Sequence, residues 1–403
     1  MLLSPLLAYI YVVHTSLPKT ITEFFTFIVF VYGAFYILIK SHLRIPLFAK
    51  FALVFAFYQL GWSFFLETDR HWLTEIYHNI QDFSIFFIIV IIYNTHFNDK
   101  FIEQSIIVIK ATIILAALAS IVQVFNPDFL NQRLFFQDEY ETSMSLYEFR
   151  RSSIFGFIGS NAVGLAYIPL LSVLVGYLFY TKNKYYWVYL LLGGIVAVLT
   201  NTRYVMIAFI LISLQLFFAS KVRFKGFIKY IIILGLSTLV LWQLLISLGY
   251  DFGTWYEERL LSEGSISETT RYKAFGNFIR FFPEAPFFGT GMMTEEIDKA
   301  SAEVGSSHIH VGYLSHLVYY GLVGCFFLYG FWVLLIKELY HTAKSMNYWG
   351  SFFGFLAFLW AFATMSQSSI FYYGIIFTLV FDKYYTDKQI IIAYKSIIGT
   401  QLS

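Results

Sequence analysis

Polar residues in this chain are confined to short interruptions between apolar runs long enough to cross a bilayer. Runs of about 20 residues occupy roughly 21–40, 46–66, 79–97, 102–125, 154–180, 184–200, 203–220, 227–249, 307–336, 348–366 and 368–382. A shorter run, Leu2 to Val13, lacks the basic start and small-residue cleavage site of a signal peptide and reads as a short first helix. The pattern predicts an all-α, polytopic integral membrane protein of about twelve transmembrane helices. Residues 1–403 form one transmembrane domain, and residues 250–306 form a large outer loop that contains short helices. No fixed-period repeat, low-complexity tract or separate soluble domain interrupts the pattern. Composition leads the same way, because a chain that is 58% hydrophobic and 13% charged has more apolar surface than one soluble core can hide.

Charge then orients the bundle. With a cytoplasmic N-terminus, the lysines cluster inside: Lys40 and Lys50, Lys182 and Lys184, Lys221, Lys225 and Lys229, Lys337 and Lys344, and Lys383, Lys388 and Lys395. That is the placement the positive-inside rule requires. The arginines break it. Arg70, Arg133, Arg150, Arg151, Arg203, Arg259, Arg271 and Arg280 all fall outside, leaving only Arg44 and Arg223 with the lysines. A guanidinium is a planar, permanently charged fork suited to phosphate, so the outer face reads as an anion-handling surface. If Leu2 to Val13 does not span, only the N-terminus changes sides.

The outer loops differ in content. Residues 67–78 are informative only by their polarity. Residues 126–152 end in Arg150 and Arg151, and Phe155-Gly-Phe-Ile-Gly-Ser-Asn161 follows, where glycines permit a tight turn into the next helix. The 250–306 loop carries ten acids against five bases. Within it Arg271, Phe275, Phe278 and Phe282 recur at helical intervals, which predicts a short amphipathic helix over Thr270 to Phe282 that stops at Pro283.

Among single residues, Arg203 is costly between two closely spaced apolar helices unless it is paired, functional, or snorkels to the headgroups. Arg271 sits in a polar loop where solvation or pairing with Glu268 is the ordinary arrangement. Arg150 and Arg151 would point about 100° apart on a helix and could not both face one ligand. Arg280, nine residues after Arg271, falls on the far side of any continuous helix. Ser307-His-Ile-His310 and His316 have spacings that suit no zinc motif on one helix face, and no metal is expected. Glu295, Glu296 and Asp298 read as a solvated loop face. Most aromatics face lipid or pack helices, while Trp255, Tyr256, Tyr272 and Tyr313 are better placed to stack on a glycan. Cys325 reads as a small core residue.

Four stretches, in order, resemble the O-antigen polymerase and O-antigen ligase superfamily. They are Arg151 through Asn161; Thr200-Asn-Thr-Arg203 between two helices; Arg271 followed by Phe282-Pro-Glu-Ala-Pro-Phe-Phe-Gly-Thr-Gly291; and His310-Val-Gly-Tyr-Leu314 followed by Gly321-Leu-Val-Gly324. Val311 stands where the family often has asparagine after its histidine, and the first 125 residues match only in being helical. Counting back from Gly321 selects His310, with His308 in reserve.

The resemblance implies a glycosyltransferase of the bacterial cytoplasmic membrane that works on its outer face without metal or cofactor. It would join undecaprenyl-pyrophosphate-linked repeat units into a surface polysaccharide. In that scheme His310 is general base, a role that suits an imidazole. Arg203 and Arg271 bind the pyrophosphate, and Arg150, Arg151, Asn161, His308 and Tyr313 are further candidate substrate contacts. The implied partners are the lipid-linked donor, a glycan acceptor, the bilayer, and a chain-length regulator on the outer loops; nucleic acid is not among them. A polymerase of O-antigen or exopolysaccharide is the preferred reading. A ligase that passes the glycan to a lipid or protein acceptor is the alternative. A transporter or flippase of lipid-linked sugar is the second, although matching halves and mid-membrane charges of the kind transporters show are missing.

Overall fold

The computed structural model describes residues 19–65, 72–126, 129, 153, 163–200, 203–220, 243, 270–291, 311–364 and 374–401. Among them the secondary structure is helical throughout: α1 Lys19–Ile39, α2 Leu47–Phe65, α3 Trp72–Tyr93, α4 Asp99–Phe125, α5 Ile168–Tyr180, α6 Tyr186–Leu199, α7 Arg203–Ser213, α8 Gln215–Ser220, α9 Thr270–Phe281, α10 Gly312–Met346, α11 Gly350–Thr364 and α12 Gly374–Gln401. A π-turn, Val163–Tyr167, leads into α5, and a 3₁₀ turn, Phe282–Glu284, follows α9. Helices are the expected solution for such apolar sequence, because they satisfy their backbone polar groups internally where no water is available.

α4 and α10 are each long and apolar enough to cross a membrane, and shorter apolar helices pack with them. Together they make the chain an integral membrane protein. Several predicted boundaries move. The 203–220 run is two helices, α7 and α8, joined at Leu214; α10 continues ten residues past the expected stop at 336; and α12 begins at Gly374 and continues to Gln401 rather than ending at 382. The runs Leu2–Val13 and 227–249 lie outside the described residues.

Local sequence explains several ends. Asn98 caps α4, its Oδ1 accepting from the Phe101 N–H at 2.9 Å, and Asp99 follows in the first turn, where the helix dipole favours an anion. Asn347 closes α10 in the left-handed conformation, at φ 54°. α11 packs against α5, α7, α10 and α12, while α1 packs on α3, which packs on α2 and α12, and α2 packs on α10. Close approach depends on small residues, as is usual between membrane helices. A Cβ on Gly176 of α5 would lie 2.6 Å from the Gly350 Cα, and Ser172 Oγ donates to the Gly350 carbonyl at 2.8 Å across the same contact.

One end of the bundle gathers lysines and their partners. Asn94, after α3, accepts from the Arg44 N–H and donates to the Arg44 carbonyl, both at 2.8 Å, while Lys40 Nζ donates to the Asn94 carbonyl at 2.9 Å. α12 ties this end together. Tyr93 donates to the buried Asp382 at 2.9 Å, Lys383 pairs with Asp387, and Tyr384 donates to Asp99 at 2.6 Å beside Lys388 at 3.1 Å. Thr342 near the end of α10 meets Thr386, and Asn347 donates to the Ala219 carbonyl beneath α8. Arg203 at the start of α7, and α9 with Arg271 and Arg280, therefore belong to the opposite end.

At the lysine end, the hydrogen bond from Tyr384, and then Lys388, hold the Asp99 carboxyl below its ordinary value of 3.8. Burial works against the Lys388 ammonium, yet its bonds to Tyr384 and Asp99 outweigh that and raise its pKa. Burial first and Asp99 second push the Tyr384 phenol up to about 12. A depressed carboxyl stabilises the fold above its unfolded value, and that contribution disappears as pH falls through the folded value. Asp99→Asn should therefore lower the melting temperature slightly in detergent at pH 7, the effect being small because the pair is exposed. The difference from the parent should vanish well below pH 3.8. A gap that persists at that acidity would show that the carboxylate charge is not what the contact uses.

Candidate functional site

The third and fourth motif stretches of the sequence meet at a break in α10. Gly321 has φ 59° and ψ −170°, so α10 is two helical segments joined by a glycine at positive φ. Such a break strands backbone groups on both sides, and in an apolar setting each unsatisfied one costs several kcal/mol. The segment after α9 supplies the missing partners. Thr290 and Gly291 N–H groups donate to the carbonyls of Val318 and Tyr319 at 2.9 and 3.0 Å, and the N–H groups of Leu322 and Val323 donate to Pro286 and Phe287, both at 2.9 Å. Four backbone bonds thus lay residues 286–291 into the gap.

Glycine is required on both sides of this contact. Gly289 and Gly291 have φ of 77° and 75°, the left-handed region that penalises any side chain. A Cβ on Gly289 would overlap the Tyr319 carbonyl, and one on Gly321 would overlap the Gly289 nitrogen. Here lies the physical reason for Gly-Thr-Gly in one stretch and the first glycine of Gly321-Leu-Val-Gly324 in the other. The second glycine serves a different neighbour: a Cβ on Gly324 would sit 2.6 Å from Cε1 of Tyr58, whose ring enters from α2.

The predicted amphipathic helix is present as α9, one residue shorter than expected. Its buried stripe is Ala274, Asn277 and Phe281 rather than the predicted phenylalanine row. Phe275 is half exposed and stacks along the helix on Phe278, which stacks in turn on Phe282. α9 packs on α10. Arg280 is exposed in its last turn, with Cζ 5.1 Å from the Phe281 ring centre.

Of the candidate residues, Arg203 is the first residue of α7 and Arg271 the second of α9, on elements that share the end of the bundle away from the lysines. Tyr313 is exposed in the first turn of α10, which Val311 precedes as N-cap with no side-chain cap bond. His310, His308, Arg150, Arg151 and Asn161 lie outside the described residues. His316, one of the three neighbouring histidines, is wholly buried, stacked on Tyr320 and Phe362 with Nδ1 3.4 Å from the Tyr329 hydroxyl. It is a core histidine. Cys325 is a buried free thiol, as expected of a small core residue. Among the described residues no group of three His, Cys, Asp or Glu side chains could hold a metal ion.

Tyr58 is the site feature that sequence reasoning missed. Its hydroxyl donates to the carbonyls of Phe288 and Tyr320, the latter at 2.8 Å, on either side of the glycine contact. No local pattern marks it, since it is one aromatic in an aromatic helix.

The junction makes a direct prediction. Gly289→Ala places a side chain both in left-handed backbone and against the Tyr319 carbonyl, and the backbone conformation alone costs about 1–3 kcal/mol. The variant should melt several degrees lower in detergent and expose the 282–291 segment to protease in the folded state. Wild-type melting and protease resistance would contradict the backbone contact.

Comparison with known families matches residues 187–329 to the family described as O-antigen ligase. Comparison with curated proteins gives no match. The matched stretch covers less than half of the chain, from α6 into α10, and holds three of the four motif elements; Arg151 to Asn161 falls before it. Residues 187–329, which hold the Thr200 to Arg203 turn, the Pro-x-x-Gly-x-Gly segment and the stretch from His310 to Gly324, are thus similar to the O-antigen polymerase and ligase superfamily.

Proposed function

We propose that the chain is a membrane glycosyltransferase that joins undecaprenyl-pyrophosphate-linked oligosaccharide repeat units into a surface polysaccharide at the outer face of the cytoplasmic membrane. The observation that carries this reading is the glycine junction. It fastens α9, which bears Arg271, to α10, the helix that His310 precedes, at the end of the bundle that also holds the start of α7 with Arg203.

The chemistry asks for few groups. An acceptor sugar hydroxyl attacks the anomeric carbon of the donor and gives its proton to the His310 imidazole. The new glycosidic C–O bond forms as the bond from that carbon to the pyrophosphate oxygen breaks, and the electron pair leaves with undecaprenyl pyrophosphate. Arg203 and Arg271 neutralise the charge gathering on the leaving group, a preorganised electrostatic role that is strongest where water is scarce. Arg150, Arg151, Asn161 and His308 are further contacts to donor or acceptor, and Tyr313 is an exposed ring on which a sugar can stack. A chain-length regulator would meet the outer loops.

A second reading, transfer of a finished glycan to a lipid or protein acceptor, is favoured by the matched family's description as O-antigen ligase. Both readings share the donor and the residue roles and differ only in the acceptor.

Reconstitution with undecaprenyl-pyrophosphoryl repeat units separates them, since a polymerase yields a ladder and a ligase a single transfer to an added acceptor. His310→Ala should reduce kcat by about 10²–10⁴-fold with protein abundance unchanged. Arg271→Lys and Arg203→Lys should each reduce it by roughly 10²-fold, because an ammonium cannot reproduce the bidentate fork. A ladder that survives His310→Ala and is lost in His308→Ala moves the base to His308. In cells, accumulation of lipid-linked units on the cytoplasmic side alone in His310→Ala would favour a transporter and sink the transferase.

A further inference from the structure

Both strands of the glycine junction are gripped by one helix that lies outside the family match. α2, residues Leu47–Phe65, precedes the matched residues 187–329 by more than a hundred positions. Tyr58 of α2 donates to the Phe288 carbonyl in the inserted segment and to the Tyr320 carbonyl in α10. Neither carbonyl is an acceptor in the four-bond ladder, whose acceptors are Pro286, Phe287, Val318 and Tyr319. One phenolic hydroxyl therefore bridges the two strands beside the four-bond ladder.

Two neighbours make the bridge a built feature. Gly324 provides the slot for the Tyr58 ring, because any side chain there would collide with Cε1. Phe55, three residues before Tyr58 on α2, packs edge-on against the Tyr320 ring, so α2 holds residue 320 by its carbonyl and by its side chain. Tyr320 is itself fully buried and stacked on His316.

We propose that Tyr58 is a positioning residue for the transfer reaction, resting on the function proposed above: it sets the relative placement of the Arg271 helix and the helix segment behind His310. The mechanism is geometric. The inserted segment is the direct continuation of α9, and Gly312–Tyr320 is the helical segment between His310 and the break. With the bridge in place, leaving-group binding and proton removal are registered to each other and to the first part of the chain. Without it, the ladder still joins the strands, but nothing fixes the junction to α2 at these two carbonyls.

Tyr58→Phe tests this, since it keeps the ring in its slot and removes only the hydroxyl. Per folded molecule, kcat should fall between about tenfold and a hundredfold, the scale of a small misplacement of catalytic groups. KM for the undecaprenyl-pyrophosphoryl donor should stay within about twofold, because donor contacts are retained. Gly324→Ala, which displaces the same ring from the opposite side, should give a similar loss, and the double variant should be no worse than the poorer single one.

A second measurement stands apart from the reaction. Spin labels at Ile279→Cys on α9 and Val333→Cys on α10, both exposed positions, report the distance across the junction, with Cys325 buried away from reagent. The distance distribution should be narrow in the parent and broaden in Tyr58→Phe. Wild-type kcat in Tyr58→Phe, a loss explained entirely by less folded protein, or an unchanged distance distribution would each overturn the proposal. If the parent protein joins no repeat units, the reaction reading fails on its own, and the proposed role of Tyr58 in the reaction falls with it, while the label distances still decide whether the bridge orders the junction.

Discussion

A helix that breaks in an apolar bundle must find partners for its stranded backbone groups, and in this protein the partners come from the segment that follows α9. The four bonds between residues 286–291 and 318–323 satisfy donors and acceptors on both sides of Gly321. Where such groups are shielded from water, each bond that is lost leaves a donor and an acceptor unpaired at a cost higher than on a soluble surface. The remainder of the end away from the lysines follows from this contact. It fixes where α9 leaves the loop, the direction of the Gly312–Tyr320 segment, and where α2 can reach both.

On the proposed function, the arrangement lets a glycosyl transfer site be assembled from separate helices. Guanidinium groups that bind a pyrophosphate need to be held near a low-dielectric boundary, where their attraction for developing charge is least diluted. A long flexible loop would supply arginines but would not hold them in register with a base on another helix. Sewing the loop into the helix break makes it part of the bundle. The lysine end shows a contrasting design, in which the Lys388–Asp99 pair is exposed and screened.

Much of this was legible in the sequence, for identifiable reasons. Apolar run length exposed most of the helices because the bilayer fixes how long a spanning helix must be. The clustering of lysines anticipated the end at which Lys40, Lys383 and Lys388 gather. The motif glycines were visible because φ above zero and backbone contact tolerate no side chain, so Gly289, Gly291 and Gly321 carry their geometry in their identity. Helix ends were read less well. α12 continues nineteen residues past 382 because Tyr384, Asp387 and Lys388 find partners on α4, in the connection between α3 and α4 and within α12 itself, an outcome hydropathy does not encode. The buried stripe of α9 also departed from the phenylalanine row, since Ala274 and Asn277 fit close against α10 where larger rings stack outward.

Tyr58 illustrates the limit most clearly. Its importance lies wholly in two carbonyls more than two hundred positions away, and a carbonyl has no sequence identity to detect. Gly324 was noticed as the end of the family-like stretch Gly321-Leu-Val-Gly324, yet the sequence could not say that the missing side chain makes room for a ring from α2 rather than for substrate. The family match has the same blind spot, since it spans the glycines and arginines but not the helix that holds them. A site described only by its matched residues would therefore omit a contact on which their mutual placement depends.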